Sequence, residues 1–233
     1  MPILLDHCSV RPYRNIVVID NDDQFLFGKR VRPSHKVAYL TFDDGPNEVT
    51  LALLNILARH RAKASFFMLE PHIRRYPCTV RAMIRQGHAV GLHGVTHKVN
   101  RFYASKRSVV RELDQTRRTL KRATGKTSYL VRTPYESLPH LKPAYFKALK
   151  KAGYRLWDWN VDSKDWKYKN RYSIVMVKKG TLRMEKAMVR PVILMHDLKE
   201  TAEILPKILL FLKRRGFRFK KITPDLKPVH FVK

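Results

Sequence analysis

Long apolar stretches are missing from this 233-residue sequence. No run approaches the roughly 20 consecutive apolar residues that a membrane span requires, so no transmembrane segment is expected. Met1 to Val10 carries Asp6 and His7 where a signal peptide needs an unbroken apolar core, so no leader is visible. Cysteine is scarce: Cys8 and Cys78 stand alone, without metal-ligand spacing, and read as two ordinary thiols. Repeats, low-complexity tracts and linkers are absent as well, which leaves one continuous domain as the simplest organisation.

Acid is the largest shortage, with 19 Asp plus Glu against 48 Lys plus Arg and a formal net charge of +29. Such an excess implies a polyanion nearby: nucleic acid, an anionic cell wall or an acidic membrane surface. The basic residues are spread along the chain, which favours a solvated surface over a dedicated stripe, and no aromatic-rich basic motif of the RNA-binding kind occurs. An anionic wall therefore fits better than a specific nucleic-acid partner. The expected location is extracellular or wall-associated, with a cytoplasmic one left open by the missing leader.

What is present is an ordinary globular composition, 44% hydrophobic and 10% aromatic. Apolar, β-branched or aromatic runs at Val37 to Phe42, Ala64 to Leu69, Ala89 to Leu92, Ser128 to Val131, Tyr154 to Val161, Val192 to Met195 and Phe217 to Phe219 predict seven strands. Helical spacing lies between them, as at Leu51, Leu54 and Leu57, or Val109, Leu113, Thr116 and Leu120. Ser105 predicts a helix start and Gly125 its end; Pro143 and Gly153 bracket another helix, and Thr201 and Gly216 the last, whose first turn Pro206 interrupts. Alternating strands and helices of this kind call for parallel strands with right-handed crossovers, as an open sheet or a barrel, and about seven strands suit a distorted or incomplete barrel. Residues 1–34, with a hairpin around Val17 to Phe27, read as an N-terminal extension to a domain spanning 35–233.

In parallel α/β folds, functional groups gather where strands end. Here the strand ends carry Asp43-Asp44-Gly45-Pro46; His93 followed by His97; Arg132-Thr133-Pro134-Tyr135; Asp162 to Trp166; and Leu194-Met195-His196-Asp197. Two imidazoles four positions apart plus a carboxylate from another strand make a three-ligand set for zinc or a similar ion, with an open position where a water's pKa would fall toward about 7. A second, adjacent carboxylate could accept that water's proton. Each element alone has an ordinary reading, since Asp, Gly and Pro favour turns and a strand-end histidine is commonly structural. Their joint occurrence, in order, at successive strand ends is what points to chemistry.

These residues resemble the five motifs of the polysaccharide deacetylase family, which shares the NodB homology domain and is also called carbohydrate esterase family 4. The resemblance runs from about Val37 to Phe219 and implies a distorted (β/α) barrel. It also implies that Asp44, His93 and His97 hold a divalent metal, zinc first, with cobalt or nickel as alternatives. By the same resemblance Asp43 is the general base, His196 the general acid and the Tyr135 backbone N–H an oxyanion donor. Arg132 orients Asp43, and Asp165 holds Arg132 and His196. Trp166, Leu194 and Pro134 form walls around the sugar and acetyl group.

The implied activity is hydrolysis of the acetamide of N-acetylglucosamine or N-acetylmuramic acid, in peptidoglycan before chitin oligomers or acetyl-xylan esters. Two departures stand out. Gly94 replaces the usual Ser or Thr, which predicts a missing hydrogen bond in the metal loop, and Glu136 stands beside the oxyanion donor where Gly is common. A catalytically impaired, glycan-binding homologue is the alternative these departures suggest. His35, His60, His72, His88, His140 and His230 match no motif.

Overall fold

The computed structural model describes residues 36–169 and 171–231. The expected N-terminal extension, its hairpin and Cys8 lie outside the described residues. The elements run β1 (Val37–Asp43), α1 (Thr50–Arg59), β2 (Ala64–Met68), α2 (Glu70–Arg75), α3 (Pro77–Arg85), β3 (Ala89–Leu92), α4 (Val99–Phe102), α5 (Lys106–Thr124) and β4 (Leu130–Val131). They continue as α6 (Pro143–Lys151), β5 (Arg155–Leu156), β6 (Val161–Asp162), α7 (Asp165–Tyr168), α8 (Arg171–Lys186), β7 (Val192–His196), α9 (Lys199–Arg214) and β8 (Arg218–Phe219).

Seven strands follow one another across the sheet in the order β5-β4-β3-β2-β1-β7-β6, and β8 pairs with the start of β1. Every pairing is parallel. The two edges, β5 and β6, are joined by only Trp157 to Asn160, so the sheet must curl to bring its edges near one another, although they do not pair. This is the distorted (β/α) barrel expected from the sequence. The run Tyr154 to Val161, read there as one strand, is two short ones on opposite edges. Between the two, Trp157 turns into the inner cluster, so the apolar residues of this run do not belong to a single buried strand.

Strand periodicity of two then decides which side chains face inward. On β1, Ala38, Leu40 and Phe42 pack outward against the helices, whereas Val37 and Tyr39 join Phe67, Leu130, Trp157 and Val192 in an inner cluster. Thr41 and Asp43 share the parity of Tyr39, and His196 that of Val192. Charge thus reaches the barrel interior only at the strands' C-terminal end.

The longest helix, α5, ends as its sequence predicts. Ser105 and Ser108 form a reciprocal capping box, and Gly125 closes the helix at φ 72°. The last helix differs from expectation: it starts at Lys199 and runs unbroken through Pro206, because burial of Leu205, Ile208, Leu209 and Leu212 outweighs one lost hydrogen bond. Cys78, at the start of α3, is disulfide-bonded rather than a free thiol, a pairing that depends on tertiary approach and leaves no mark in spacing.

Candidate active site

The loops after β1, β3, β4, β6 and β7 converge at one end of the barrel. Five of the eight non-glycine residues with left-handed backbones among the described residues lie in them: Asp44, His97, Tyr135, Glu136 and Lys164. Backbone strain of this kind persists where surrounding structure over-determines it, commonly at functional sites.

Asp44, His93 and His97 come together there, each offering a ligand atom within 4.8 Å of the others. Asp44 Oδ1 lies 3.3 Å from His93 Nε2 and 3.4 Å from His97 Nε2. His93 Nδ1–H donates to the carbonyl of Arg132 at 2.8 Å, which fixes the tautomer and leaves the Nε2 lone pair facing the carboxylate. Asp44 Oδ1 is buried yet accepts no well-aligned hydrogen bond. A carboxylate oxygen and imidazole lone pairs converging without a proton between them repel unless a cation joins them. The donor set, two imidazoles and one carboxylate, therefore fits a divalent ion of the zinc type. Burial alone would raise the Asp44 carboxyl, but positive charge on His93, with help from His97 and His196, holds it well below the usual carboxylate range, and Asp43 and Asp44 raise His93 against its own burial; without an ion, a proton takes the cation's place. Burial holds His97 below its ordinary value and so favours the neutral, ligating ring.

Beside the triad, Asp43 accepts from Arg132 Nη1 at 2.9 Å, and its other oxygen is 4.0 Å from His93 Nε2. Arg132 is fully buried, and its remaining donors reach Thr41 Oγ1 at 2.7 Å, the Trp157 carbonyl at 3.0 Å and the Asp158 carbonyl at 2.8 Å. Its guanidinium lies 4.4 Å from the Phe67 ring centroid. A fork held at so many points cannot swing, so it fixes the position of Asp43.

Across the site, His196 Nδ1 donates to Asp165 at 2.8 Å. Asp165 also accepts from the His196 backbone at 2.7 Å, Trp166 N at 2.9 Å and Thr201 Oγ1 at 2.6 Å. Its bonds are thus spent on His196, its own loop and Thr201 of α9. The expected link from Asp165 to Arg132 is not among them; Thr41 and two carbonyls hold Arg132 instead. Burial alone would lower His196, but the Asp165 carboxylate outweighs it and lifts the ring to about 9.

Tyr135 adopts φ 62°, with its hydroxyl on the His97 carbonyl at 3.2 Å, and its backbone N–H donates to no acceptor among the described residues. Trp166 is exposed at the rim, whereas Leu194 and Pro134 are buried. Glu136 is half-buried, and its carboxyl is raised first by burial and then by the charges of Asp158 and Asp162.

Several supporting residues escaped the sequence. Glu112, on α5, accepts from Val95 N at 2.9 Å, Thr96 N at 3.0 Å and Thr96 Oγ1 at 2.8 Å, pinning the loop between the two metal-facing histidines. The hydrogen bond thought missing at Gly94 is supplied from this helix. A Cβ at Gly94 would sit 2.8 Å from the Phe102 ring and 3.3 Å from Glu112, and φ there is +94°. Asp158 accepts from Ser137 N at 3.1 Å, Ser137 Oγ at 2.6 Å and Phe231 N at 2.8 Å, tying the loop after Tyr135 to the end of the chain. Asp197 packs on Gly45, where a Cβ would lie 2.2 Å from its carboxylate, so this glycine is needed for close approach. His72 Nδ1, left unassigned by the sequence, bonds the Asp44 carbonyl at 2.5 Å.

Comparison with known proteins agrees with this geometry. The profile of the polysaccharide deacetylase family matches residues 30–157. YheN of Bacillus subtilis is 40% identical over 228 residues, covering 95% of this chain and 81% of YheN. A peptidoglycan-N-acetylglucosamine deacetylase of Bacillus cereus is 32% identical over 233 residues, 96% of this chain and 85% of its own length. The crystal structure of the polysaccharide deacetylase Bc1974 from Bacillus cereus superimposes with a TM-score of 0.77 at 34% identity, covering 84% of this chain and 97% of that one. The chain belongs to the polysaccharide deacetylase family, of the NodB type.

Proposed function

We propose that this protein is a metal-dependent N-deacetylase that removes the acetyl group from N-acetylglucosamine or N-acetylmuramic acid units, with peptidoglycan as its first substrate. The observation that carries this is the clustering of the Asp44, His93 and His97 ligand atoms within 4.8 Å, between an Arg132-held carboxylate and an Asp165-held imidazole. Held by those three side chains, a zinc-type ion supplies Lewis acidity, lowering the pKa of a water toward about 7 and polarising the acetamide carbonyl.

The chain's own residues supply the rest. Asp43, held in place by Arg132, takes a proton from the attacking water at its free oxygen. The unengaged N–H of Tyr135 donates to the oxygen on which negative charge develops. His196, kept protonated by Asp165, gives its Nε2 proton to the sugar nitrogen as the C–N bond breaks, releasing acetate and a free amine. Leu194 and Pro134 wall the acetyl methyl, and Trp166 offers a ring face to the sugar. We assign the catalytic domain to residues 35–233, since β7, which carries His196, lies beyond the matched 30–157.

The binding-only alternative drew on Gly94 and Glu136, and the three bonds from Glu112 remove the first of these grounds. Acetate release from purified peptidoglycan, N-acetylchitooligosaccharides and acetylated xylan tests the assignment. Release from peptidoglycan ahead of the others is expected. Release from xylan alone would overturn the amide assignment.

A further inference from the structure

The outer face of α5 carries charge that the reaction does not use. This helix holds seven basic residues and two acidic ones, Glu112 and Asp114. Glu112 points inward to the Val95–Thr96 amides, and Asp114 is engaged by Arg117 at 3.0 Å and by the Tyr154 hydroxyl at 2.7 Å. Glu112 leaves the outer face untouched, and Asp114, which lies on it, sets one carboxylate, shared with Arg117, against four further cations. There, Lys106, Arg107, Arg111 and Arg118 are exposed, and none forms an ion pair among the described residues. They line an open groove of about 400 Å³ between α5 and α6, floored by Val110 and Ala148.

Arg107, Arg111 and Arg118 are four and seven residues apart, so they share one side of the helix and span about 16 Å at 1.5 Å per residue. Charge that reads as evenly spread along the sequence is thus gathered here into a stripe by the helical period. Among the described residues no aromatic side chain lines the groove, so they offer no platform on which bases could stack. The opposite face of the same helix holds the His93–His97 loop through Glu112, which puts the groove on the flank of the active-site end.

The geometry points to this groove as a docking track for a base-free phosphodiester polymer of the cell-wall type, which would hold the enzyme beside its glycan. The inference rests on the peptidoglycan reading above and extends it from the reacting sugar to the polymer attached to it. Cations spaced along a helix neutralise successive phosphates, and release of condensed counterions makes such binding steeply salt-dependent.

The test measures binding of poly(glycerol phosphate) to the full chain as a function of salt. The variants are Arg107→Gln/Arg111→Gln/Arg118→Gln and, as a control, Lys207→Gln/Lys213→Gln/Arg214→Gln, which removes the same charge from exposed positions on α9. At about 0.7 per neutralised phosphate, the groove variant should lose about two from the log–log salt slope and bind about tenfold more weakly or worse, with the control close to wild type. Equal losses in both variants would reduce the effect to net charge and overturn the groove. Tighter binding of a single-stranded oligonucleotide with the same phosphate number would overturn the wall-polymer assignment. Turnover of a neutral chitooligosaccharide should be unchanged in both variants; its absence in all three proteins would count against the deacetylase reading while leaving the binding result to stand separately.

Discussion

Glu112 touches no substrate, yet the metal loop depends on it. Its replacement by alanine removes the acceptor for two backbone amides and one hydroxyl. Val95 and Thr96 are half-buried, so water recovers part of the loss, and each bond contributes no more than about 1 kcal/mol. The total, about 2–3 kcal/mol, falls on the order of the two histidines. Where metal binding must restore that order, affinity drops by about 30- to 150-fold. Glu112→Gln keeps one carbonyl oxygen for the amides and turns its NH2 toward the Thr96 hydroxyl, so its loss should stay under about tenfold. Zinc affinity by competition with a chelating indicator, with thermal unfolding to confirm the fold, reads both. A folded Glu112→Ala protein with wild-type zinc affinity would refute the reasoning.

Restoring the family's usual residue with Gly94→Thr should lower thermal stability rather than improve the site, because φ +94° and the Phe102 ring both exclude a side chain; a raised midpoint in calorimetry would contradict this. Because Asp165 holds His196 up to about 9, activity should fall as pH rises through that region and the proton donor is lost. Asp165→Asn should move this alkaline limb to lower pH, and an unmoved limb in the pH–rate profile would remove His196 as the acid. His88 is 4% exposed and accepts from Ala64 N, and burial, reinforced by Lys63 and Lys221, lowers it to about 4. A depressed pKa stabilises the fold above about 6.5, and that contribution, on the order of 3 kcal/mol, is lost as pH falls toward 4. His88→Asn should flatten this acid limb in denaturant titrations, and a limb as steep as wild type would argue against the assignment.

The strand ends were legible because chemistry concentrates there: Asp43, Asp44, His93, His97, Arg132, Tyr135, Asp165 and His196 each follow a recognisable apolar run, and the fold brings them to one end of the barrel. Supporting groups were harder to read because their partners are remote in sequence. Glu112 did leave a trace, as a lone carboxylate on the buried face otherwise formed by Val109, Leu113, Thr116 and Leu120. Asp158 left less, since its role depends on the curled sheet bringing Ser137 and Phe231 to either side of it. Similarly, the split of Tyr154 to Val161 is a property of barrel closure, which no local pattern encodes. The Arg132 anchor differs from expectation for the same reason: a carboxylate such as Asp165 is the natural partner for a guanidinium in sequence, and only strand parity puts the neutral Thr41 hydroxyl beside it.

The most direct test of the deacetylase mechanism follows acetate and free-amine release from chitooligosaccharides and purified peptidoglycan by the zinc-loaded protein, beside Asp43→Asn and His97→Ala. The account predicts matched release of both products by the wild type, loss of turnover with zinc retained in Asp43→Asn, and loss of both zinc and turnover in His97→Ala. Undiminished release by Asp43→Asn, or no release by a wild-type protein that holds zinc, would contradict it.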